Sequence, residues 1–497
     1  MIMLLKIHPS DNVAVAPSAI EAGLVQDGIK LEITEAIPAG HKVALVDIAE
    51  GEAVIKYGFP IGKATTAIQA GQHVHSHNMA TGLGADTELV YEPEAREVAA
   101  AGDVPAFMGY RLPDGRAATR KEIWIINTVA CVNVPSQRIA EAATREFGGN
   151  NGAVDGIYAF THPYGCSQLG DDLGLTRKVL AGLVRHPNAA GVLVIGLGCE
   201  NNTLRTFLEE VGAMDPNRVR FFNAQEVGDE VEHGIEAVRE ITEHLAPVQR
   251  EPIPASELVL GMKCGGSDGF SGITANPLVG RIADRLTSWG GTVVLTEVPE
   301  MFGAEAPLFN RCDAPEIFES AVAMVNEFKD YFRRHDEPIY ENPSPGNKDG
   351  GITTLEEKSL GCIQKGGKAL VKQVAAYGEP ATQCLGGLCL VQAPGNDGVS
   401  ATALTAAGAH CVLFTTGRGT PLGVPAPTLK IASNSDLAQR KPNWIDFDAG
   451  QLLEAEDPNA VTDDLMQLIL DTASGKEARN EINGFREITI WKQGVTL

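Results

Sequence analysis

The chain has 497 residues, and at roughly 150 residues per domain this length predicts about three domains. Its 40 Lys and Arg residues against 64 Asp and Glu residues give a formal charge of −24. That balance argues against nucleic acid or an anionic membrane as a partner, because both bind to dense basic surfaces. With 44% hydrophobic and 21% charged residues, the composition is globular and excludes fibrous, disordered and disulfide-scaffold classes.

The first 80 residues predict a small all-β module. Residues 1–5 are apolar but too few for a signal-peptide core, and they predict a first strand. Short apolar runs at 42–47 and 53–57 are separated by glycines, a spacing of turns that is typical of a barrel-like or clip-like module. Residues 81–108 are acidic with little periodicity, and they predict a linker.

From residue 109 the pattern changes to alternating strands and helices, interrupted by three prolines within 246–254. The predicted strands lie at 123–126, 157–160, 191–195, 258–260, 292–295 and 411–414. The predicted helices of the first half lie around 179–184, 204–211 and 231–245. Such alternation predicts parallel sheets covered by helices, in a middle domain at 109–250 and a C-terminal domain at 255–497.

Most of the predicted strands are followed by a thiol, carboxylate, imidazole or guanidinium group. In open parallel sheets, ligands bind in the crevice beyond the carboxyl ends of the strands. The groups in these positions are Cys131, His162, Cys166, Cys199, Glu200, Cys264, Asp268, Glu297, Glu300 and Arg418. The sequence therefore predicts a site at the carboxyl edge of the sheets.

Nine cysteines without a CxxC pair or an export signal predict reduced thiols in a cytoplasmic protein. Cys166, Cys199 and Cys264 lie in glycine-rich turns beside His, Glu or Asp. Thiolates with a carboxylate or imidazole suit Fe(II) or Zn(II), whereas Mg(II) prefers oxygen ligands. The alternative is that each is a small buried hydrophobic residue. We adopt that packing interpretation for Cys312, Cys362, Cys384, Cys389 and Cys411.

Three of the 11 histidines, His73, His75 and His77, fall within five residues of one another. If the segment is extended, a period of two places all three imidazoles on one face of a strand. There they could bind a metal or hold an anionic substrate. The alternative is an exposed, polar strand edge near the linker.

Residues 341–351 form a glycine- and proline-rich loop that leads into a predicted helix around 353–357. Backbone N–H groups at a helix N-terminus attract anions, and Lys348 would add a positive charge. Arg418, in its own glycine-rich turn, could bind a carboxylate through two N–H groups. The alternatives are plain turn chemistry for the loop and a surface ion pair for Arg418.

No nucleotide-binding fingerprint is complete in the sequence. Gly196 and Gly198 begin a dinucleotide motif, but Asn201 stands where the third glycine belongs. A Walker A motif and a GxSxG motif are also missing from the sequence.

Long strings along the whole chain resemble the altronate dehydratase family, which is related to galactarate dehydratase. The strings are DNVAV at 11–15, GHKVAL at 40–45, HVHSHN at 73–78, YGCSQLGDD at 164–172, VIGLGCENN at 194–202, CGGSDG at 264–269, TANP at 274–277, TEVPEMFGAE at 296–305, ENPSPGNK at 341–348 and FTTGRGTP at 414–421. The strings at 73–78 and 164–172 favour the altronate branch over the galactarate branch.

The resemblance implies a β-clip module of the SAF type at the N-terminus and a Rossmann-like C-terminal domain. It implies Fe(II) or Mn(II), reducing conditions, and loss of water from D-altronate to give 2-dehydro-3-deoxy-D-gluconate in hexuronate breakdown. The alternatives are a galactarate-type dehydratase and a non-catalytic sugar-acid-binding protein. We expect a homo-oligomer, a dimer, with a small sugar acid as ligand and with neither nucleic acid nor membrane as partner.

Dehydration of a sugar acid requires loss of the proton next to a carboxylate, and a divalent metal on that carboxylate would lower the barrier. Our candidates for metal ligands are Cys166, Cys199, Cys264, Glu297, His73 and His75. Our catalytic candidates are His162 as acid or base, and Lys348 and Arg418 as the groups that hold the substrate carboxylate. A labile iron–sulfur cluster on the three thiolates is the alternative to a single metal ion.

Overall fold

The computed structural model describes residues 4–26, 31–83, 89–93, 102–148, 153–381 and 384–494. Residues 1–3 of the predicted first strand lie outside this set, as do residues 84–88 and 94–101 of the predicted linker. In the described part of the first strand, Leu5 forms an antiparallel bridge with Val15.

The N-terminal region consists of short antiparallel strands. They are β1 (Val13–Val15), β2 (Val25–Gln26), β3 (Leu31–Glu32), β4 (Lys42–Ala44), β5 (Ala53–Lys56), β6 (Phe59–Ala64), β7 (His73–Val74) and β8 (Met79–Ala80). They form three small sheets, with the orders β1-β4-β7, β5-β6-β8 and β2-β3. The predicted small β module is confirmed.

The middle region contains a parallel four-stranded sheet with helices on both faces. Its elements are β9 (Ala106–Arg111), β10 (Ala117–Ala118), β11 (Glu122–Asn127), α1 (Asn133–Phe147), β12 (Gly156–Phe160), α2 (Gly170–Arg185), β13 (Ala189–Gly196), α3 (Leu204–Val211), β14 (Val219–Asn223), α4 (Glu230–Leu245) and β15 (Arg250–Pro254). The parallel sheet has the order β12-β11-β13-β14, and a separate antiparallel sheet has the order β10-β9-β15. The first strand of the parallel sheet, β11, therefore lies between β12 and β13, the two strands that follow it in the chain.

Alternate residues of β11 are buried in two different cores. Ile123 and Ile125 belong to the core that contains residues of α1 and α4. Trp124 and Ile126 belong to the core that contains residues of α2 and α3. Successive side chains of a strand point to opposite faces, so an unbroken apolar strand requires cover on both.

The C-terminal region contains a parallel seven-stranded sheet. Its elements are β16 (Val259–Cys264), α5 (Ala275–Ser288), β17 (Thr292–Leu295), α6 (Glu305–Phe309), α7 (Pro315–Arg334), α8 (Pro345–Asp349), α9 (Leu355–Cys362), β18 (Val371–Ala375), β19 (Leu388–Val391), α10 (Asp397–Ala406), β20 (Cys411–Thr416), β21 (Thr428–Ala432), α11 (Ser435–Arg440), β22 (Phe447–Asp448), α12 (Pro458–Ala473) and α13 (Arg479–Ile482). The sheet order is β18-β19-β17-β16-β20-β21-β22. Since the chain moves outward from β16 in both directions, the carboxyl end of β16 is a topological switch point. The predicted parallel α/β architecture is confirmed.

Three local features differ from the sequence-based expectation. The proline-rich break contains β15, whose prolines are tolerated because it is an edge strand paired with β9. The histidine segment is not extended throughout, because β7 ends at Val74 and a turn closed by Asn78 N–H to the His75 carbonyl follows. The loop at 341–351 contains α8 before α9 begins. No helix in the described ranges is long and apolar enough to cross a membrane.

Two buried lysines of the N-terminal region share one carboxylate of α9. Lys42 Nζ donates to Glu357 Oε2 at 2.8 Å, and Lys56 Nζ donates to Glu357 Oε1 at 2.8 Å. Lys42 also donates to the carbonyl of Gly351. Burial by itself raises the pKa of Glu357, but the two ammonium groups outweigh burial and lower the pKa to about 2. The β module is therefore attached to the C-terminal region through a buried ion group.

We expect Glu357→Gln to lower the free energy of unfolding by about 3 kcal/mol at neutral pH, the equivalent of lowering this pKa from 4.5 to about 2. Because the folded-state pKa lies below the unfolded value, this contribution is complete above pH 4.5 and is lost as pH falls towards 2. Urea unfolding of variant and wild type at several pH values measures the difference. The control is Glu209→Gln in the exposed Arg205–Glu209 pair, which should cost under about 1 kcal/mol. A pH-independent difference, or one no larger than the control, would contradict the assignment.

Candidate active site

A cavity of about 590 Å³ opens at the carboxyl edge of the seven-stranded sheet, beside the end of β16. This position is the switch point, where open α/β sheets bind ligands. The volume lies within the range of small-molecule sites, roughly 300–1,000 Å³. The polar side chains of its wall are Cys264, Ser267, Glu300, Asn342, Ser344, Asn347, Lys358, Asn396, Asp397, Thr420 and Thr489.

Two thiols and a carboxylate meet at one wall of the cavity. The sulfur atoms of Cys264 and Cys362 are 3.3 Å apart. Both thiols donate to Glu300 Oε2, at 3.0 Å from Cys264 and 2.9 Å from Cys362. Cys264 ends β16, Glu300 lies in the turn after β17, and Cys362 ends α9. The parallel sheet thus assembles the group from three separate segments.

Three buried lysines surround this group. Lys358 Nζ lies 2.8 Å from Glu300 Oε1, and Lys365 Nζ donates to Cys264 Sγ at 3.1 Å. Lys263 Nζ lies 2.7 Å from Asp397 Oδ1. Burial alone raises the pKa of Glu300, but the ammonium groups of Lys358 and Lys365 outweigh it and lower the pKa to about 2. Glu300 is therefore an anion at neutral pH.

Glu297 occupies a strained position behind Cys264. Its φ of 70° lies in the left-handed region, which non-glycine residues rarely adopt. In this conformation its carboxylate accepts the backbone N–H of Cys264 at 2.9 Å and lies 3.1 Å from Lys263 Nζ. The strained residue Glu297 is thus the one whose carboxylate holds the end of β16 in place.

The two thiols and Glu300 fit a divalent metal with affinity for sulfur. Their ligand atoms lie within 4.8 Å of one another, and the donor set suits Fe(II) or Zn(II). With both thiols protonated, the carboxylates of Glu297, Glu300 and Asp397 balance the three lysines. Loss of both thiol protons would leave two negative charges, which a divalent cation would neutralise. The group can therefore hold two protons or one divalent metal.

Of the ligands predicted from the sequence, the structure brings Cys264 and Glu297 together but not Cys166 and Cys199. The latter two are exposed and lie in loops after β12 and β13, in the four-stranded sheet. His162 follows the same sheet. Its Nε2–H donates to the Asn127 carbonyl at 2.8 Å, its Nδ1 accepts the N–H of Tyr164 at 3.2 Å, and burial lowers its pKa. Both ring nitrogens are thus engaged with backbone.

His75 contacts the back of the loop that carries Lys348, and His73 reaches that loop through His41, which contacts the Asp349 carbonyl. His75 Nε2 donates to the Lys348 carbonyl at 2.9 Å, and His41, a histidine that we did not single out, lies 3.0 Å from His73 between ring nitrogens. Burial first, and then the neighbouring imidazoles, lower the pKa of His73 to about 3. The imidazole of His73 is therefore neutral at pH 7, which is the form that binds metals.

Arg418 lies at the rim of the cavity, where its Nη1 donates to the carbonyl of Gly346 at 3.0 Å. Gly346 belongs to α8, whose neighbours Ser344 and Asn347 line the cavity. Arg418 therefore contacts the helix that carries Lys348, but neither side chain is among the residues that line the cavity.

The sequence reasoning missed Cys362, which it treated as a packing residue, and Lys358. Both lie on α9, and their spacing of four residues places them on one helical face. That spacing was visible in the sequence. Their meeting with Glu300 was not, because Glu300 comes from a turn more than fifty residues earlier in the chain.

The chain matches three family models in succession. Residues 2–82 match the altronate/galactarate dehydratase SAF domain, residues 109–246 match the D-galactarate dehydratase/altronate hydrolase second domain, and residues 255–496 match the D-galactarate/altronate dehydratase C-terminal domain. Altronate dehydratase from Escherichia coli is 50% identical to this chain over 99% of both chains. The chain belongs to the altronate/galactarate dehydratase family.

Two further relatives of the family agree with this assignment. Altronate dehydratase from Bacillus subtilis is 48% identical, again over 99% of both chains. Galactarate dehydratase (L-threo-forming) from Escherichia coli is 35% identical over 95% of this chain and 93% of its own. The family predicted from the sequence motifs is confirmed, and the protein is a hydro-lyase.

The metal group can be tested with Co(II), whose thiolate complexes absorb in the near ultraviolet. In a background with Ser at the exposed Cys131, Cys166 and Cys199, we expect metal-free protein to develop this absorption under anaerobic conditions. Cys362→Ser should weaken Co(II) binding about tenfold or more, because the loss of even an outer partner of a ligand costs that much. The control is Cys384→Ser, another buried thiol. Equal titrations for both variants would exclude Cys362 as a ligand.

Proposed function

We propose that the protein removes water from D-altronate and forms 2-dehydro-3-deoxy-D-gluconate. The observation that carries this proposal is the 50% identity to an altronate dehydratase over 99% of both chains, against 35% to galactarate dehydratase. The cavity supports it, because its amide, hydroxyl and ammonium groups suit a polyol that carries a carboxylate.

In this reaction C2, next to the carboxylate, loses a proton, and the C3 hydroxyl group takes up a proton and leaves as water. The enol that remains takes a proton at C3 as its C2 hydroxyl loses one, which gives the 2-keto-3-deoxy acid. A divalent metal held by Cys264, Cys362 and Glu300 would supply Lewis-acid stabilisation of the negative charge that develops on the carboxylate. Lys358 adds a fixed positive charge at the same wall. Burial lowers its pKa, but Glu300 outweighs burial and raises it, so the amine stays protonated and donates hydrogen bonds to the substrate.

Asp397 is the cavity carboxylate that lies outside the metal group. Lys263 Nζ donates to its Oδ1 at 2.7 Å, and the side chain is 38% exposed. One oxygen is therefore held by the buried lysine while the group remains accessible from the cavity. In our proposal Asp397 accepts the C2 proton, in place of His162 of our sequence-based hypothesis, which follows a strand of the other parallel sheet.

The proposal includes a setting for the enzyme. The reaction would serve hexuronate breakdown in the reducing cytoplasm, which the free state of all nine cysteines supports. We also propose that the metal is Fe(II) or Mn(II) and that the protein forms a dimer. The proposed domains are a β module at 1–80, a linker at 81–108, a middle α/β domain at 109–250 and a C-terminal α/β domain at 255–497.

A substrate panel tests the proposed function. Protein purified anaerobically with Fe(II) is incubated with D-altronate, its epimeric hexonates and galactarate, and formation of the 2-keto-3-deoxy acid is measured. We expect kcat/KM to be highest for D-altronate, to fall on chelation and to return with Fe(II) or Mn(II). Preference for galactarate would support the alternative dehydratase, and binding without turnover would support a sugar-acid-binding protein.

We expect Asp397→Asn to lower kcat by about 10²–10⁴-fold, the usual contribution of a general base, with a much smaller change in KM. The matched control is Asp463→Asn, in the exposed pair with Arg285, which should leave kcat unchanged. Urea unfolding of both variants shows whether the loss comes from destabilisation. A kcat for Asp397→Asn within twofold of the control would exclude this residue as the base.

A further inference from the structure

Three exposed thiols lie at the carboxyl edge of the four-stranded sheet, apart from the cavity described above. Cys131 follows β11, Cys166 follows β12 and Cys199 follows β13. These strands are adjacent, in the order β12-β11-β13. The edge is the switch point of this second sheet, because β11 has its successors on both sides.

The three loops that carry the thiols are hydrogen-bonded to one another. Next to Cys131, the N–H of Ala130 donates to the carbonyl of Tyr164 at 2.9 Å. Next to Cys166, the N–H of Ser167 donates to Asn201 Oδ1 at 2.7 Å, and Gly165 accepts the N–H of Asn202 at 3.0 Å. A side chain at Gly165 would collide with the backbone at Thr128, so the first two loops are in direct contact. In each loop, a residue no more than two positions from the cysteine therefore forms a hydrogen bond to the loop of a neighbouring cysteine.

The backbone around the thiols is held in unusual conformations. Cys166 is flanked by Gly165 with φ of 100° and Ser167 with φ of 57°, and Gly198, before Cys199, has φ of 123°. The Cys199 turn is fixed from inside by Glu200, whose carboxylate accepts the N–H groups of Leu197 and Gly198 at 3.0 and 2.7 Å. Ser167 is the non-glycine residue among these, and a strained conformation of this kind persists only where the surrounding structure enforces it.

The electrostatic surroundings of the three thiols favour anions. Each thiol comes shortly before a helix N-terminus: Cys131 before α1, Cys166 before α2 and Cys199 before α3. The positive ends of three helices therefore face this edge and favour a negatively charged group there. Beside Cys166, the buried Gln168 has an Nε2 without a hydrogen-bond partner among the described residues. It is a free donor next to the site.

The spacing of the thiols excludes a single ion in the observed conformation. Among the described residues, Cys264, Glu300 and Cys362 are the one set of potential metal ligands whose ligand atoms all lie within 4.8 Å of one another. The sulfur atoms of Cys131, Cys166 and Cys199 do not meet this limit, so they are spread more widely. A multi-iron cluster is large enough to bridge such a spread, and thiolates are its usual ligands. We propose that Cys131, Cys166 and Cys199 bind a [4Fe–4S] cluster in which one iron has no protein thiolate.

This proposal goes beyond the proposed function, since it assigns a second metal centre in another sheet. It also differs from our sequence-based alternative of a cluster on Cys166, Cys199 and Cys264. Cys264 is buried and in contact with Cys362 and Glu300, whereas Cys131 occupies the strand end between those of Cys166 and Cys199. The open iron would be accessible, because all three thiols are exposed.

The test is anaerobic reconstitution of the full chain with ferrous and ferric iron and inorganic sulfide. We expect a broad visible absorption band, acid-labile sulfide equal to iron, and an electron paramagnetic resonance signal after reduction. Cys131→Ser, Cys166→Ser and Cys199→Ser should each lose the band and the signal, with unchanged circular dichroism. The control is Cys264→Ser, which removes a thiol of the other centre and should keep the cluster.

A wild-type protein that takes up no sulfide would overturn the proposal, as would a cluster that survives the three serine variants or is lost in Cys264→Ser. D-altronate turnover is measured on the same preparations, and Co(II) binding is measured on the metal-free protein with Ser at Cys131, Cys166 and Cys199. A cluster without turnover would refute the proposed function and leave this site standing. Turnover and Co(II) binding without a cluster would refute the cluster site and leave the proposed function standing.

Discussion

Three lysine ammonium groups are buried at the carboxyl edge of the seven-stranded sheet, and each is held by acidic partners. Lys263 pairs with Asp397 and Glu297, Lys358 pairs with Glu300, and Lys365 lies 3.7 Å from Glu297. A buried charge without a partner is very costly, so each group determines the position of the others. The two thiols complete this balance, because their protons or a divalent metal make the whole group neutral. The chemistry of the site therefore depends on charge compensation in the interior.

One topological rule creates both candidate centres. In each parallel sheet the first strand lies in the interior and its successors are on both sides, so the loops diverge beyond its carboxyl end. In the seven-stranded sheet this edge is filled with lysines, carboxylates and two buried thiols. In the four-stranded sheet this edge bears three exposed thiols and one carboxylate, that of Glu200, which accepts backbone N–H groups of its own turn. The same architecture thus presents two different donor sets.

The β module acts on the cavity through the loop at 341–351. His75 binds the carbonyl of Lys348 and Lys42 binds that of Gly351, while Ser344 and Asn347 on the same loop line the cavity. The buried pairs of Lys42 and Lys56 with Glu357 fix α9, which carries Lys358 and Cys362. The module therefore supports the candidate site, although none of its side chains is among the cavity residues of the described chain.

Local sequence patterns were enough to predict the alternation of strands and helices, the β module and the family. These rest on local periodicity and on long motifs, which do not depend on distant contacts. It also placed Cys264 and Glu297 at strand ends, where ligands bind. Tertiary packing was needed to show that Cys362 and Lys358 join them and that Cys166 and Cys199 do not. Strand order and helix docking are set by packing between distant segments, and a residue's position along the chain does not encode which strand end lies beside it.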